Sequence, residues 1–176
     1  MNTTAHLEIE RKFLVEYPDV DALDVRRKIC IVQTYLSDGD DGAQRRVRSI
    51  KENGISSYTY TEKHFRSPVV RDEYEKEISA DEYNELLLQK KTDFTPVEKV
   101  RYCFCYKDQL FELDTYHFSS RLAVMELELE SEDQVIYLPD NVKVIREVTG
   151  EKRYSNSTLA NAGCFPEEAP AEKGES

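Results

Sequence analysis

Leu7-Glu8-Ile9-Glu10-Arg11-Lys12-Phe13-Leu14-Val15 decides how this chain is read. Leu7, Ile9, Phe13 and Val15 fall on one side of an extended strand, and Glu8, Glu10 and Lys12 fall on the other. The same two-residue period returns near 29–37, 44–52, 56–66, 70–79, 97–107, 109–118, 122–130 and 142–149, so together with 6–15 these runs read as strands. Turn residues separate them: Asp38-Gly39-Asp40-Asp41-Gly42, Asn53-Gly54, Ser67-Pro68 and Asp108. Helical signals are fewer. Asp19 to Ile29 reads as one helix. Ser79 to Lys91 reads as another, with Ser79 as N-cap, Glu82 behind it and Leu86, Leu87 and Leu88 on the apolar side. A short third helix is expected after Ser155. The class is α+β, mainly antiparallel β, and so many strands in one small domain fit a closed barrel or a sandwich.

The 176 residues carry 24 Lys and Arg against 35 Asp and Glu, a net charge of −11. That balance argues against a general nucleic-acid binder, because a phosphate backbone demands a basic face. A small anion in a locally basic pocket remains compatible with it. No stretch approaches the ~20 apolar residues that span a bilayer, and Met1-Asn2-Thr3-Thr4-Ala5 lacks the basic and apolar regions of a secretory signal. A cytoplasmic protein is therefore expected, with Cys30, Cys103, Cys105 and Cys164 as reduced thiols. The acidic, low-complexity stretch from Gly163 to Ser176 reads as a disordered tail, which leaves 1–162 as the domain.

The polar positions of the strands are ionic and sorted by sign. Arg46 and Arg48 share a face, as do Thr59, Thr61 and Lys63. Arg71, Glu73, Glu75 and Glu77 follow at a spacing of two. Lys99 pairs with Arg101, Glu112 with Asp114, and Glu126, Glu128 and Glu130 alternate with Met125, Leu127 and Leu129. A solvated sheet face would produce this pattern. So would a barrel with a charged lumen and an apolar outer wall covered by the helices. Like charges crowded in a lumen need counter-ions or ligands. Rows of carboxylates suit hard divalent cations, and Arg and Lys pairs suit phosphates. Both on inward strands would make a phosphoryl-transfer site.

Glu8-Ile9-Glu10-Arg11-Lys12 resembles the Glu-x-Glu-x-Lys signature of the CYTH superfamily, the triphosphate tunnel metalloenzymes. The following segments agree in order: Gln33-Thr34-Tyr35-Leu36, Arg46-Val47-Arg48, Thr61-Glu62-Lys63, Arg71-Asp72-Glu73-Tyr74-Glu75, Glu98-Lys99-Val100-Arg101-Tyr102, Phe111-Glu112-Leu113-Asp114 and Glu126-Leu127-Glu128-Leu129. Glu147-Val148-Thr149-Gly150, Lys152-Arg153-Tyr154 and Asn156 complete the match, which runs from about 6 to 162 and looks most like the short prokaryotic members. The resemblance implies an eight-stranded closed tunnel barrel, Mg²⁺ or Mn²⁺ as cofactor and a triphosphate-bearing substrate. It implies Glu8, Glu10, Glu126 and Glu128 as metal ligands, and Lys12, Arg46, Arg48, Lys63, Lys99, Arg101 and Lys152 as the phosphate-binding set. Glu73, Glu75 and Asp114 match further acidic tunnel positions, and Lys12 with Tyr35 matches a pair that assists water activation.

Some residues read as bystanders. Glu77, Glu112 and Glu130 fit solvent-facing strand ends, His6, His64 and His117 do not cluster, and Arg11, Arg45 and Arg153 have the outward parity. Tyr58, Tyr60, Tyr74, Tyr102, Phe104 and Tyr106 read as wall packing, which could support a homodimer. The expected lumen holds no aromatic cage for thiamine or adenine, which favours inorganic triphosphate as the substrate. The alternatives are a class IV adenylate cyclase, a thiamine triphosphatase, or a non-catalytic polyphosphate-binding module.

Overall fold

A computed structural model describes residues 4–170, with side chains from residue 7 onward. The elements are β1 (Thr4–Glu16), β2 (Val25–Tyr35), β3 (Gln44–Glu52), β4 (Ile55–Phe65), β5 (Val70–Ile78), α1 (Ala80–Leu86), β6 (Val97–Tyr106), β7 (Gln109–Tyr116), β8 (Leu122–Glu128), β9 (Val144–Glu147) and α2 (Asn156–Ala162). Each alternating run became a strand. All pair antiparallel in the order β5-β4-β3-β2-β6-β7-β8-β1, and a β5–β1 pairing closes the eight into a barrel. β1 makes the closure. Its residues 4–9 pair with β5, residues 10–16 pair with β8, and β9 adds to residues 13–15. On the β5 side, Glu10 to Lys12 have no strand neighbour; the Glu10 N–H reaches the Val69 carbonyl and the Lys12 N–H donates to Thr149 Oγ1 at 2.9 Å.

Apolar packing occupies both sides of the wall. Outside, Phe13, Val15, Phe104, Phe111, Met125 and Leu127 are covered by Leu23 and Val142 from the connections. α1 covers Val47, Tyr58 and Tyr60 through Tyr83 and Leu86, so much of the Tyr-rich wall is spoken for. Inside, the inward residues of β6 run Val97, Lys99, Arg101, Cys103, so two apolar layers bracket a charged one. One layer joins Cys103 to Ile29, Ile31 and Ile50. The other joins Val97 to Leu14, Tyr35, Tyr116 and Val124, and the end it forms is filled by Tyr154, Leu159, Ala160 and Phe165.

Two expectations are corrected. Residues 19–29 are not a helix: Val20–Ala22 form a single 3-10 turn capped by Asp19, and β2 starts at Val25. Ile29 and Ile31 drive this, because their two-residue spacing buries both inside the barrel. The segment after Ala162 is also ordered within the described residues. Phe165 is fully buried, edge-on to the Tyr116 ring at 5.5 Å, and Pro166–Glu168 form a 3-10 turn held by the Ser119 hydroxyl donating to Glu168 at 3.0 Å. One aromatic anchor outweighs an otherwise polar composition. Residues 171–176 lie outside the described part. The helix from Ser79 is present with its capping box, and Ser155 caps α2.

Phe165→Ala should lower stability in denaturant unfolding by about 3–5 kcal/mol, the cost of emptying a buried aromatic site. An unchanged midpoint would return this segment to the status of an unattached tail.

Candidate active site

Barrel closure sends every second side chain of each strand inward, and the registers decide which charges meet. Lys12 stands opposite Glu126, and Glu126 opposite Glu112. Glu10 faces Glu128, Glu8 faces Arg71, and Lys63 faces Glu73. Together these strands line a cavity of about 640 Å³. β1 contributes Glu8, Glu10 and Lys12, β2 Tyr35, β3 Arg46 and Arg48, and β4 Lys63. Arg71, Glu73 and Glu75 come from β5, Arg101 from β6, Glu112 from β7, and Glu126 and Glu128 from β8. The mouth lies between the β4–β5 turn (Phe65, Ser67, Pro68) and the segment from Val148 to Thr158, which brings exposed Lys152. At this rim a Cβ on Gly150, which has φ +73°, would come within 2.6 Å of Pro68 Cβ.

The charges neutralise one another in pairs. The Lys12 ammonium lies 3.3 Å from Glu126 and donates to the Tyr154 carbonyl at 3.4 Å. Lys63 contacts Glu73 at 2.9 Å and Glu8 at 3.4 Å, and Arg46 lies 3.8 Å from Glu73. Arg71 Nε donates to Glu8 Oε2 at 2.6 Å while its Nη2 pairs with Glu10. Arg101 meets Glu112 at 2.6 Å and Asp114 at 2.8 Å. Burial would raise the Glu73 carboxyl, but Lys63 and Arg46 hold it down to about 2. Burial likewise works against Glu126, which Lys12 and Arg101 keep well below the usual carboxylate range. Burial lowers Lys63, with Arg46 adding to the shift, and lowers Arg48 to about 10. The Tyr35 hydroxyl is raised by its burial and accepts from Gln33 at 2.6 Å, while Gln33 accepts from Arg48 at 2.8 Å.

Lys99 and Asp114 are placed differently from the expectation. Neither lines the cavity. Lys99, with a fully buried side chain, donates to Asp114 at 2.6 Å, and burial lowers its ammonium to about 7. Arg101 and Lys99 overcome burial to hold Asp114 at about 2. The pair sits behind Arg101 and fixes it, rather than presenting a charge to the cavity. Two cavity residues fall outside the expected site. Glu112, which alternation fits to a solvent-facing strand end, lines the cavity, pairs with Arg101, and is raised by burial. Arg71 also lines it, and its parity with Glu73 and Glu75 is the signal that points there. Glu77 and Glu130 are exposed, as expected, and Arg11 pairs with Glu147 outside the barrel.

The residues fit both groups the resemblance implies. Arg46 Nε is buried without a hydrogen-bond partner among the described residues, so an acceptor such as a phosphate oxygen would complete it. Glu8, Glu10, Glu126 and Glu128 are an all-oxygen donor set on two adjoining strands, the chemistry that Mg²⁺ or Mn²⁺ takes. No three acidic groups among the described residues converge on one point as they stand, because cationic side chains hold them.

The CYTH domain family matches residues 6–161. The chain belongs to the CYTH family. Among CYTH relatives, an inorganic triphosphatase of Acetivibrio thermocellus is 33% identical over 153 residues, covering 86% of this chain and 92% of its own. An inorganic triphosphatase of Nitrosomonas europaea is 36% identical over 157 residues, covering 87% and 96%. The crystal structure of an inorganic triphosphatase superposes with a TM-score of 0.56 at 34% identity, covering 87% of this chain and 97% of that one. A Pyrococcus horikoshii protein, 22% identical with a TM-score of 0.53 over 72% of this chain and 80% of its own, shares the fold.

Asp114 and Glu73 titrate lower in the folded chain than the unfolded values near 4, so each adds stability that is whole above about pH 4.5 and is lost as pH falls toward 2. Asp114→Asn should therefore flatten the acid limb of the stability curve. At neutral pH it should cost about 3–5 kcal/mol, because Lys99 remains buried without its counter-charge while Arg101 keeps only Glu112. Urea unfolding at several pH values measures both effects.

Proposed function

We propose that this chain is a divalent-metal-dependent triphosphatase that cleaves inorganic triphosphate to diphosphate and phosphate. The observation that carries the reading is the unpartnered buried Arg46 Nε in a cavity lined by interleaved cations and carboxylates. The relatives of similar length that are named inorganic triphosphatases support it. A water oxygen bonds to a terminal phosphorus, the bridging P–O bond breaks, and the diphosphate leaves with the bond's electrons. Such a reaction is accelerated mainly by positioning and by charges placed in advance.

Lys12, Arg46, Arg48, Lys63 and Arg101 hold the phosphate oxygens in this reading, with Lys152 at the mouth. Lys99 and Asp114 act behind them by fixing Arg101. Mg²⁺ or Mn²⁺ on Glu8, Glu10, Glu126 and Glu128 would neutralise phosphate charge and lower the pKa of an attacking water. Glu73 and Glu75 orient Lys63 and Thr61, the latter through a 3.0 Å hydroxyl bond to Glu75. Lys12 is assigned to take the water's proton in its neutral amine form, with the Tyr35 hydroxyl, locked by Gln33 and Arg48, setting the local geometry. The protein is read as cytoplasmic, with the uncovered part of its outer wall available to a second copy.

A second reading, a cyclase acting on ATP, is favoured by Phe65, an exposed aromatic ring at the cavity mouth on which a base could stack. Product analysis separates the two. Phosphate and diphosphate released from inorganic triphosphate with Mg²⁺ or Mn²⁺, faster than from ATP or thiamine triphosphate and abolished by EDTA, are the expected outcome; cyclic AMP plus diphosphate from ATP would replace it. Glu10→Ala should lower turnover by about a hundredfold or more. Lys12→Ala should lower kcat; a rise in KM alone would make Lys12 a phosphate clamp and not a base.

A further inference from the structure

Arg71 is the cation that the proposed mechanism leaves without a task. Its guanidinium bridges Glu8 and Glu10. It does so from β5, in the register position directly opposite Glu8. The three side chains are only about one-seventh exposed, at 16%, 14% and 13%. Two carboxylates at i and i+2 on one face of β1 repel each other in such a place, and a guanidinium fork answers both. It also takes the oxygens that a divalent cation would need. Lys63 adds a contact to the same Glu8 oxygen, but its shorter partner is Glu73. Arg71 is thus the cation most committed to this pair.

The surroundings give Arg71 a second place to go. Its guanidinium carbon lies 5.9 Å from the centroid of the Phe65 ring at the mouth, and Arg71 itself lines the cavity. Once its carboxylates are satisfied otherwise, its five donors face a space built for phosphate oxygens.

We infer that Arg71 is an exchangeable counter-ion: it occupies Glu8 and Glu10 in the cation-free protein, gives them up when a divalent cation is bound, and turns to a phosphate group of the substrate. The inference deepens the triphosphatase reading and rests on it. Metal and substrate then favour each other's binding, because metal binding frees the arginine that the anion uses.

Binding of Mn²⁺ alone, without triphosphate, tests this by electron paramagnetic resonance of free Mn²⁺ on the full-length chain. Arg71→Gln should bind Mn²⁺ roughly tenfold more tightly than the wild type, while its KM for triphosphate rises by about as much. Those opposite signs are what a merely structural arginine would not produce. Arg48→Gln removes one charge from the same cavity without touching Glu8 or Glu10, so it controls for general electrostatics. Arg71→Lys, which keeps the charge, should return Mn²⁺ affinity toward that of the wild type. The inference is overturned if Arg71→Gln binds Mn²⁺ no more tightly than the wild type, or no more tightly than Arg48→Gln. Should the wild type bind Mn²⁺ as expected yet release no phosphate from any triphosphate, the triphosphatase reading falls while the exchange at Glu8 and Glu10 stands.

Discussion

A closed sheet forces half of every strand's side chains into one interior, and here that interior has to hold like charges side by side. The registers leave no choice: Glu112 lies across from Glu126 and Glu10 across from Glu128. Each crowded carboxylate is costly unless a cation reaches it. Lys12, Lys63, Arg71 and Arg101 supply those contacts from four different strands, so the electrostatics of the cavity also tie the barrel together. Among the described residues, eight carboxylates and seven Lys or Arg line the cavity, nearly in balance. The excess acidity behind the net charge of −11 therefore lies elsewhere, and an acidic chain can still present an anion site.

The apolar layers above and below make those charges effective. Ile29, Ile31 and Ile50 exclude water on one side, and Leu14, Val97 and Val124 on the other. In such surroundings an ion pair holds its geometry, and the cost of ordering it is met during folding rather than at each turnover. Lys99 and Asp114 illustrate the arrangement. They lie off the charged cavity, yet their bond braces the arginine that lines it. The same logic explains why Gln33, a neutral side chain, is fully buried among charges: it passes the Arg48 contact on to the Tyr35 hydroxyl.

Strand parity was legible in the sequence because a closed barrel enforces it along each strand, apart from bulges such as the one between Val25 and Arg27. One misplaced residue would turn a whole row of charges outward. That is why Glu8, Glu10, Lys12, Arg46, Arg48, Lys63, Glu126 and Glu128 could be named from alternation and resemblance, and why all of them line the cavity. Depth was not legible. Alternation says which side of the wall a residue takes, not how far along the barrel it sits. Lys99 and Arg101 have the same parity but different fates: Lys99, between Ile31 and Tyr116 across its two neighbouring strands, is wholly buried against Asp114, whereas Arg101 reaches past Asp114 to Glu112 and the cavity. The place of Glu112 is hidden for the same reason. Its neighbour across β8 is Glu126, a fact of register that no single strand reveals. Composition misled at the ends: Asp19 to Ile29 looks helical although β2 starts at Val25, and Phe165 is lost in an acidic average.

Phe165 also bears on how the cavity is reached. With Leu159 and Tyr154 it fills one end of the barrel, so the segment that plugs that end also forms one rim of the mouth. Tyr154 joins the two roles, since its ring is packed in the plug, its hydroxyl meets Glu167, and its carbonyl receives the Lys12 ammonium. The facing rim approaches so closely that Gly150 and Pro68 leave no room for a side chain between them. The site is therefore bounded by a rigid wall on the barrel side and by two short turns on the other. Binding at the charged wall calls for exchange of side-chain ion pairs on a fixed sheet, whereas passage through the mouth depends on contacts between loops. A division of that kind keeps the barrel backbone fixed beneath its ion pairs and leaves access to the cavity to the Pro68 and Gly150 turns.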